Sequence, residues 1–171
     1  MHIARWALAF ALVAAGAAQA QDAGGGWPSY GGDAGGTRYS PLTQIDARNV
    51  DRLRVAWEYR TGDVSDGKGD VSATSFQATP ILFDDTLYLC TPFNRVVALD
   101  PRTGKPRWTY DPKVEIRKSN ATRKTDGGAL RCRGVAAWAD SRAAPGAACA
   151  KRIFEGVIDG RLVAVDAATG R

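Results

Sequence analysis

One internal repetition narrows the folds open to this chain more than any other feature of its sequence. Leu87–Lys105 aligns without gaps on Ile153–Arg171 at an offset of 66 residues. In that alignment Arg95, Val97, Ala98, Asp100, Thr103 and Gly104 face Arg161, Val163, Ala164, Asp166, Thr169 and Gly170. Both copies end in a strand-like run followed by Asp-x-x-Thr-Gly. The Asp and Thr side chains can accept hydrogen bonds from a turn backbone, and Gly supplies a positive φ. A repeated hairpin-plus-turn unit reads as a propeller or solenoid, in which each sheet buries its faces against its neighbours. In the first copy the turn leads within four residues to Trp108, whereas the second copy stops at Gly170-Arg171. Two sheets cannot close a ring. The chain therefore reads as the N-terminal portion of a longer protein, cut inside a repeat, and by itself inactive and prone to aggregate.

The segments around the repeat read as short strands. Leu53–Arg60 alternates apolar and polar residues and predicts a strand, and Thr61–Ser75 is polar and rich in Gly and Asp, a long surface loop. Ile81-Leu82-Phe83 and Leu87-Tyr88-Leu89-Cys90 flank Asp84-Asp85 and predict a hairpin with an acidic turn. Val96–Leu99 and Arg107–Tyr110 follow as strands on either side of the turn at Asp100–Lys105. After residue 20 no helical period is sustained, so the fold class is all-β. Gly24–Gly36 holds seven of the 19 glycines and reads as loop.

The N-terminus predicts export. Arg5 precedes a mainly apolar run, Trp6–Ala20, which closes with Ala18-Gln19-Ala20. That pattern describes a secretory signal peptide over residues 1–20, followed by a Gly-rich segment over 21–52 and the first sheets over 53–171. An apolar stretch of 15 residues is short for a membrane span, and Gln21 follows the cleavage site where a lipoprotein would need Cys. In an oxidising compartment Cys132 and Cys149 can bridge across their Ala-, Pro- and Gly-rich loop, leaving Cys90 as a buried thiol; the alternative is three unbonded core cysteines. The net charge of +5 is spread along the chain. Its densest stretch, Lys113–Lys124, has no interleaved aromatic, so no nucleic-acid partner is expected. The single His, at position 2, argues against a His-based metal centre or a His-dependent triad. Asp63, Asp66 and Asp70 lack the terminal Glu of an EF-hand and read as turn chemistry, and the Asn120 sequon reads as loop.

Ala98-Leu99-Asp100-Pro101-Arg102-Thr103-Gly104-Lys105-Pro106-Arg107-Trp108 resembles the tryptophan-docking motif of quinoprotein dehydrogenases, A-x-D-x-x-T-G-K-x-x-W. Trp27–Asp33, Thr37–Leu42, Ala56–Gly62, Phe76–Pro80, Cys90–Arg95 and Cys132–Val135 also resemble that family's N-terminal region. The ordered set is similar to the pyrroloquinoline quinone (PQQ) dehydrogenases of the glucose, quinate and shikimate branch. The resemblance implies an eight-bladed propeller, with Trp108 sandwiched between blades and Asp100, Thr103 and Gly104 shaping its dock. It further implies PQQ near the axis, a calcium or magnesium ion whose ligands lie beyond residue 171, and a catalytic carboxylate that also lies beyond it. No catalytic residue is assigned within the chain. The implied partners are a sugar, polyol or cyclic hydroxy acid as substrate and ubiquinone or another periplasmic acceptor.

Two positions carry over by resemblance. Arg133 matches an arginine that contacts PQQ, whose three carboxylates suit a permanently cationic fork. Gln77 stands where related alcohol dehydrogenases place a cofactor-contacting Glu, and an amide can hydrogen-bond a carboxylate without like-charge repulsion. The branch often has a His three residues before the Cys, where this chain has Ala129, which implies a polyol other than glucose or altered cofactor binding. The competing reading is a non-enzymatic propeller of the same repeats, acting as a periplasmic binding scaffold.

Overall fold

A computed structural model describes residues 26–116 and 129–171. The leader expected over residues 1–20, the sequon at Asn120 and the basic residues from 117 to 124 lie outside the described residues. Among the described residues seven strands form two antiparallel meanders. The first sheet has the order β1-β2-β3-β4, from Ile81–Phe83, Thr86–Cys90, Val96–Leu99 and Pro106–Tyr110. The second has the order β5-β6-β7, from Ala136–Ala139, Lys151–Gly156 and Leu162–Asp166. The repeat governs pairing as well as sequence. Leu87↔Leu99, Tyr88↔Ala98, Leu89↔Val97 and Cys90↔Val96 in the first sheet recur as Ile153↔Val165, Phe154↔Ala164, Glu155↔Val163 and Gly156↔Leu162 in the second.

The acidic hairpin turn forms because Asp84 and Asp85 both adopt positive φ, 50° and 52°, the twist that a two-residue turn needs to match right-handed strands. Strands β2 and β3 are apolar at nearly every position, as strands covered on both faces must be. One face presents Tyr88, Cys90, Val96 and Ala98 to Ile153, Val165 and Ala167 of the second sheet. The opposite face presents Leu89, Val97 and Leu99 to Trp57 and Tyr59. Strand β5 escaped the sequence reading because its Ala-Ala-Trp-Ala composition carries little β-propensity.

The two Asp-x-x-Thr-Gly turns are built alike. Asp100 Oδ1 accepts from the Arg102 and Thr103 N–H groups and the Thr103 hydroxyl at 2.9–3.0 Å. Asp166 Oδ1 accepts from Ala168 N, Thr169 N and the Thr169 hydroxyl at 2.9–3.1 Å. These bonds hold both carboxyls below the ordinary range, Asp100 chiefly through the Thr103 hydroxyl and Asp166 chiefly through the Cys149 N–H. Each turn closes on a Gly with φ near +70° (69° at Gly104, 71° at Gly170), and an indole lies on each. Trp57 lies on Gly104 and donates from Nε1 to Pro101 O at 3.0 Å. Trp108, on β4, lies on Gly170 and donates from Nε1 to Ala167 O at 3.0 Å. Tyr88, tilted against Trp108 with centroids 5.7 Å apart, donates its hydroxyl to the same Ala167 carbonyl at 2.9 Å.

Leu53–Arg60 corrects the sequence expectation: it is not a strand. A strand requires a backbone partner, and among the described residues this segment pairs with none; Val55 is 87% exposed while Trp57 and Tyr59 cover the first sheet. The 61–75 stretch is also not wholly surface. Asp63 is 2% exposed, and the loop is closed by Thr74 N to Ser65 O at 2.9 Å.

The docking geometry predicts a position-specific cost. A Cβ at Gly170 would stand 2.7 Å from the Trp108 ring, whereas at Gly146, also at positive φ, it would meet nothing within 4 Å. In the intact protein, Gly170→Ala adds ring displacement to backbone strain and costs about 2–5 kcal/mol, against about 1–2 kcal/mol for Gly146→Ala. Urea unfolding of both variants checks this, and equal losses would contradict indole docking.

Candidate functional site

The segments that lead into the first strand of each sheet run side by side. Leu130 N donates to Ala73 O at 2.6 Å, Ser75 N to Leu130 O at 2.9 Å, and Thr79 N to Arg133 O at 3.2 Å. Thr74 and Leu130 form a parallel bridge there. Because β1 and β5 are each an edge of their sheet, this paired stretch lies where both sheets begin. Gln77 and Arg133 fall on its two halves, so the two residues singled out by resemblance belong to one local structure. Both are exposed. Gln77 Nε2 donates to Ser75 Oγ at 3.3 Å.

Arg133 is displayed by its neighbours. Cys132 and Val135 on either side are buried, at 7% and 9% exposure. Gly134 takes φ 154°, a region open essentially to Gly alone, and lets the chain turn between them. Burying both flanks drives the intervening guanidinium outward. Among the described residues it has no ion-pair partner. Arg95 is the contrast: its Nη1 lies 2.6 Å from the buried Asp63 Oδ1, and its Nε lies 3.5 Å from Asp111 Oδ2. Arg95 is thus closed by carboxylates, and Arg133 is open to an anion.

The disulfide expectation is corrected. Cys132 pairs with Cys90, not Cys149, with Cα atoms 5.9 Å apart at a sequence separation of 42. Cys149 is the free thiol. The reason is topological. The 130–135 segment returns to the end of β2, where Cys90 is fully buried, while Cys149 is held on the second sheet by its N–H to Asp166 Oδ2 at 2.9 Å. By the chain-entropy argument a loop of this length is worth about 4 kcal/mol.

Beside the disulfide lies a residue the sequence reading passed over. Glu155 is 2% exposed, and one ligand atom from each of Cys90, Cys132 and Glu155 lies within 4.8 Å of the others. Its Oε1 accepts from Asn94 Nδ2 at 3.3 Å, and its Oε2 has no hydrogen-bond partner. Burial pushes the Glu155 carboxyl up to about 7, opposed only by the Asn94 bond. Two disulfide sulfurs and one carboxyl do not suit a hard cation such as calcium, which takes six to eight oxygens. The signal for Glu155 was available: it shares a strand face with buried Ile153, two residues away.

A family described as "PQQ: Glucose/ethanol/alcohol dehydrogenase, beta-propeller domain" matches residues 27–171. The chain belongs to this family. Quinoprotein glucose dehydrogenase A of Acinetobacter calcoaceticus is 40% identical over 156 residues, covering 85% of this chain and 18% of that protein. The quinate/shikimate dehydrogenase (quinone) of Acinetobacter baylyi is 37% identical over 159 residues, covering 84% and 18%. The crystal structure of quinohemoprotein alcohol dehydrogenase from Comamonas testosteroni superposes with a TM-score of 0.65 at 35% identity, covering 86% and 18%. The chain thus spans 18% of the length of these relatives. Its two meanders are part of a quinoprotein β-propeller. Among the described residues no helix is long and apolar enough to cross a membrane.

Two outcomes follow for this propeller segment. Alkylation without reductant labels Cys149 and leaves Cys90 and Cys132 linked in peptide maps; a linked Cys132–Cys149 pair would reject the pairing. Stability also depends on Glu155. Its folded pKa is raised, so the native state holds a proton that the unfolded chain releases from about 4.5 upward. The contribution is complete below about 4.5, declines between there and about 7, and is absent above, an overall loss of about 3 kcal/mol. Glu155→Leu flattens that decline in urea unfolding, whereas an unchanged slope would refute the assignment. The depressed Asp100 and Asp166 act in a separate window, losing their contribution as pH falls below the carboxylate range.

Proposed function

We propose that this chain forms the first blades of a PQQ-dependent dehydrogenase in which Arg133 and Gln77 hold carboxylates of the cofactor. The observation that carries the reading is Arg133: an exposed guanidinium without an ion-pair partner among the described residues, fixed between two buried neighbours where both sheets begin. A planar fork of N–H donors pairs with a carboxylate through two parallel hydrogen bonds, and its charge does not titrate away. Gln77 brings an amide to the adjoining segment and adds a neutral donor without a second charge. When bound, PQQ supplies an o-quinone able to accept a hydride from a substrate carbon. The work of this chain is to bind and orient: Arg133 and Gln77 set the carboxylate end, and the paired 73–79 and 130–134 segments keep that end in register with the two sheets.

The substrate in this reading is a sugar, polyol or cyclic hydroxy acid, and the electrons leave to ubiquinone or another periplasmic acceptor. The general base and the divalent-ion ligands are assigned to the part of the protein outside these 171 residues. The propeller begins near residue 53, after a Gly-rich segment over 21–52. The N-terminal leader supports export to the periplasm, as does the buried Cys90–Cys132 disulfide, a bond that persists in oxidising compartments.

The test is cofactor affinity. In the intact apoprotein, Arg133→Ala weakens PQQ binding about 10- to 100-fold, as expected for a charge-assisted hydrogen bond, and Gln77→Ala weakens it by several-fold. Arg133→Lys restores the charge but not the fork, and recovers part of the loss. Titration of PQQ by fluorescence quenching reads all three. Unchanged affinity in Arg133→Ala would overturn the assignment.

A further inference from the structure

The two copies of the repeat share register and turn chemistry, so their differences identify positions that the fold alone does not explain. The sharpest is on the second strand of the unit. Leu89 in β2 pairs with Val97, and its counterpart Glu155 in β6 pairs with Val163. Leu89 is 5% exposed and Glu155 is 2% exposed. The fold therefore accepts an aliphatic side chain at this place, yet the second copy buries a carboxyl. A buried carboxyl with an orphaned oxygen is costly relative to a satisfied one. Only the groups around it supply a reason for its presence. β2 brings the fully buried Cys90, the turn before β3 brings Asn94, and the 130–135 segment brings Cys132. None of these carries a formal charge in the oxidised state. Arg95, next to Asn94, is occupied by Asp63 and Asp111.

We propose that Glu155 and the Cys90–Cys132 disulfide form one proton-coupled redox unit, in which Glu155 protonates the Cys90 thiolate released when a dithiol opens the bond and removes that proton when the reverse exchange with the cyclic disulfide of that dithiol, which is reduced, re-forms the bond. The proposal is independent of the dehydrogenase reading. Its polarity follows from the two sulfurs. Cys132 keeps 7% exposure and lies on a lead-in segment outside both sheets, whereas Cys90 is fully buried in β2. A thiolate of the dithiol attacks Cys132 Sγ, the sulfur–sulfur bond breaks, and its electron pair passes to Cys90 Sγ. That thiolate, formed in a buried site, takes the Glu155 proton. The second thiol of the reductant then loses its proton to water and displaces Cys132, which is reprotonated from solvent; in the disulfide its Sγ lies 3.6 Å from the Gly134 carbonyl, an acceptor for the restored thiol. Two electrons move from the dithiol, which ends as a cyclic disulfide, and Glu155 regains its proton from water. A carboxyl that titrates near neutrality serves either direction, because both of its forms are populated there.

The experiment follows opening of this one disulfide by dithiothreitol in the intact protein, using acid quench, alkylation and peptide mass spectrometry between about pH 5.5 and 8.5. Rates are divided by the thiolate fraction of the reagent. The wild type gives a constant corrected rate below about pH 6 and a fall of about tenfold per pH unit above about 7, as the protonated carboxyl is depleted. Glu155→Leu, which restores the side chain of the first copy, folds and loses the break, with a corrected rate at pH 6 at least about tenfold lower. Glu155→Asp, with its carboxyl drawn back, retains a break at reduced rate. A wild-type profile without a break overturns the proposal, as does a Glu155→Leu profile that superposes on it.

Discussion

The packing of an indole on the glycine of an Asp-x-x-Thr-Gly turn sets the spacing and register between successive elements of this fold. Trp108 on β4 reaches across to Gly170, and Trp57 makes the equivalent contact with Gly104. The glycine is required twice over: its φ is positive, and a Cβ would enter the ring. Around each indole the turn is rigid, because one carboxylate oxygen gathers two backbone donors and a hydroxyl. A rigid turn makes a defined socket. With Trp108 and Tyr88 both donating to the Ala167 carbonyl, the two sheets cannot slide without breaking two hydrogen bonds. That fixed spacing brings the 73–79 and 130–134 segments to hydrogen-bonding distance, and it holds Cys90 opposite Cys132.

Much of this was legible in the sequence, for a physical reason. Turn chemistry is local, so Asp100, Thr103 and Gly104 and their counterparts at 166, 169 and 170 reveal their geometry through spacing alone. The apolar runs of β2 and β3 announce burial on two faces. What failed was information that depends on distant partners. Leu53–Arg60 has a strand's alternation, but alternation does not provide a neighbour to bond. The shared Trp-x-Tyr of Trp57-Glu58-Tyr59 and Trp108-Thr109-Tyr110 was the available sign that Trp57 docks as Trp108 does. Cysteine pairing failed likewise. Proximity along the chain favoured Cys132 with Cys149, whereas the fold turns the 130–135 segment back onto β2.

Arg95 and Arg133 show how one side-chain type takes opposite roles through its surroundings. Arg95 covers the buried Asp63 and touches Asp111, so its charge is spent inside the structure. Arg133 lies between an anchored cysteine and a buried valine with no carboxylate among the described residues beside it. Its backbone is fixed before any ligand arrives. The loss of freedom on binding is then confined to one side chain, which is the advantage of preorganisation. Resemblance pointed to both Arg133 and Gln77, but only the paired lead-in segments show that the two residues share one structure.

The repeat also serves as an internal control that no single copy could provide. Where two segments share register and turn, a position buried in both that is leucine in one and glutamate in the other isolates a chemical choice from a structural requirement. Local rules are broken where something other than stability is selected, and on this strand the break is a carboxyl buried where the first copy has an aliphatic side chain. Asn94 reinforces the point. Its counterpart is Gly160, which meets the same need for positive φ without a side chain. In the first copy the turn instead carries an amide that spans the sheets, donating to Glu155 and accepting from the Ile158 N–H at 3.1 Å. These two differences between the copies thus touch each other, and Glu155 lies beside the Cys90–Cys132 disulfide. Their contact argues that the carboxyl, the amide and the two sulfurs act as one group.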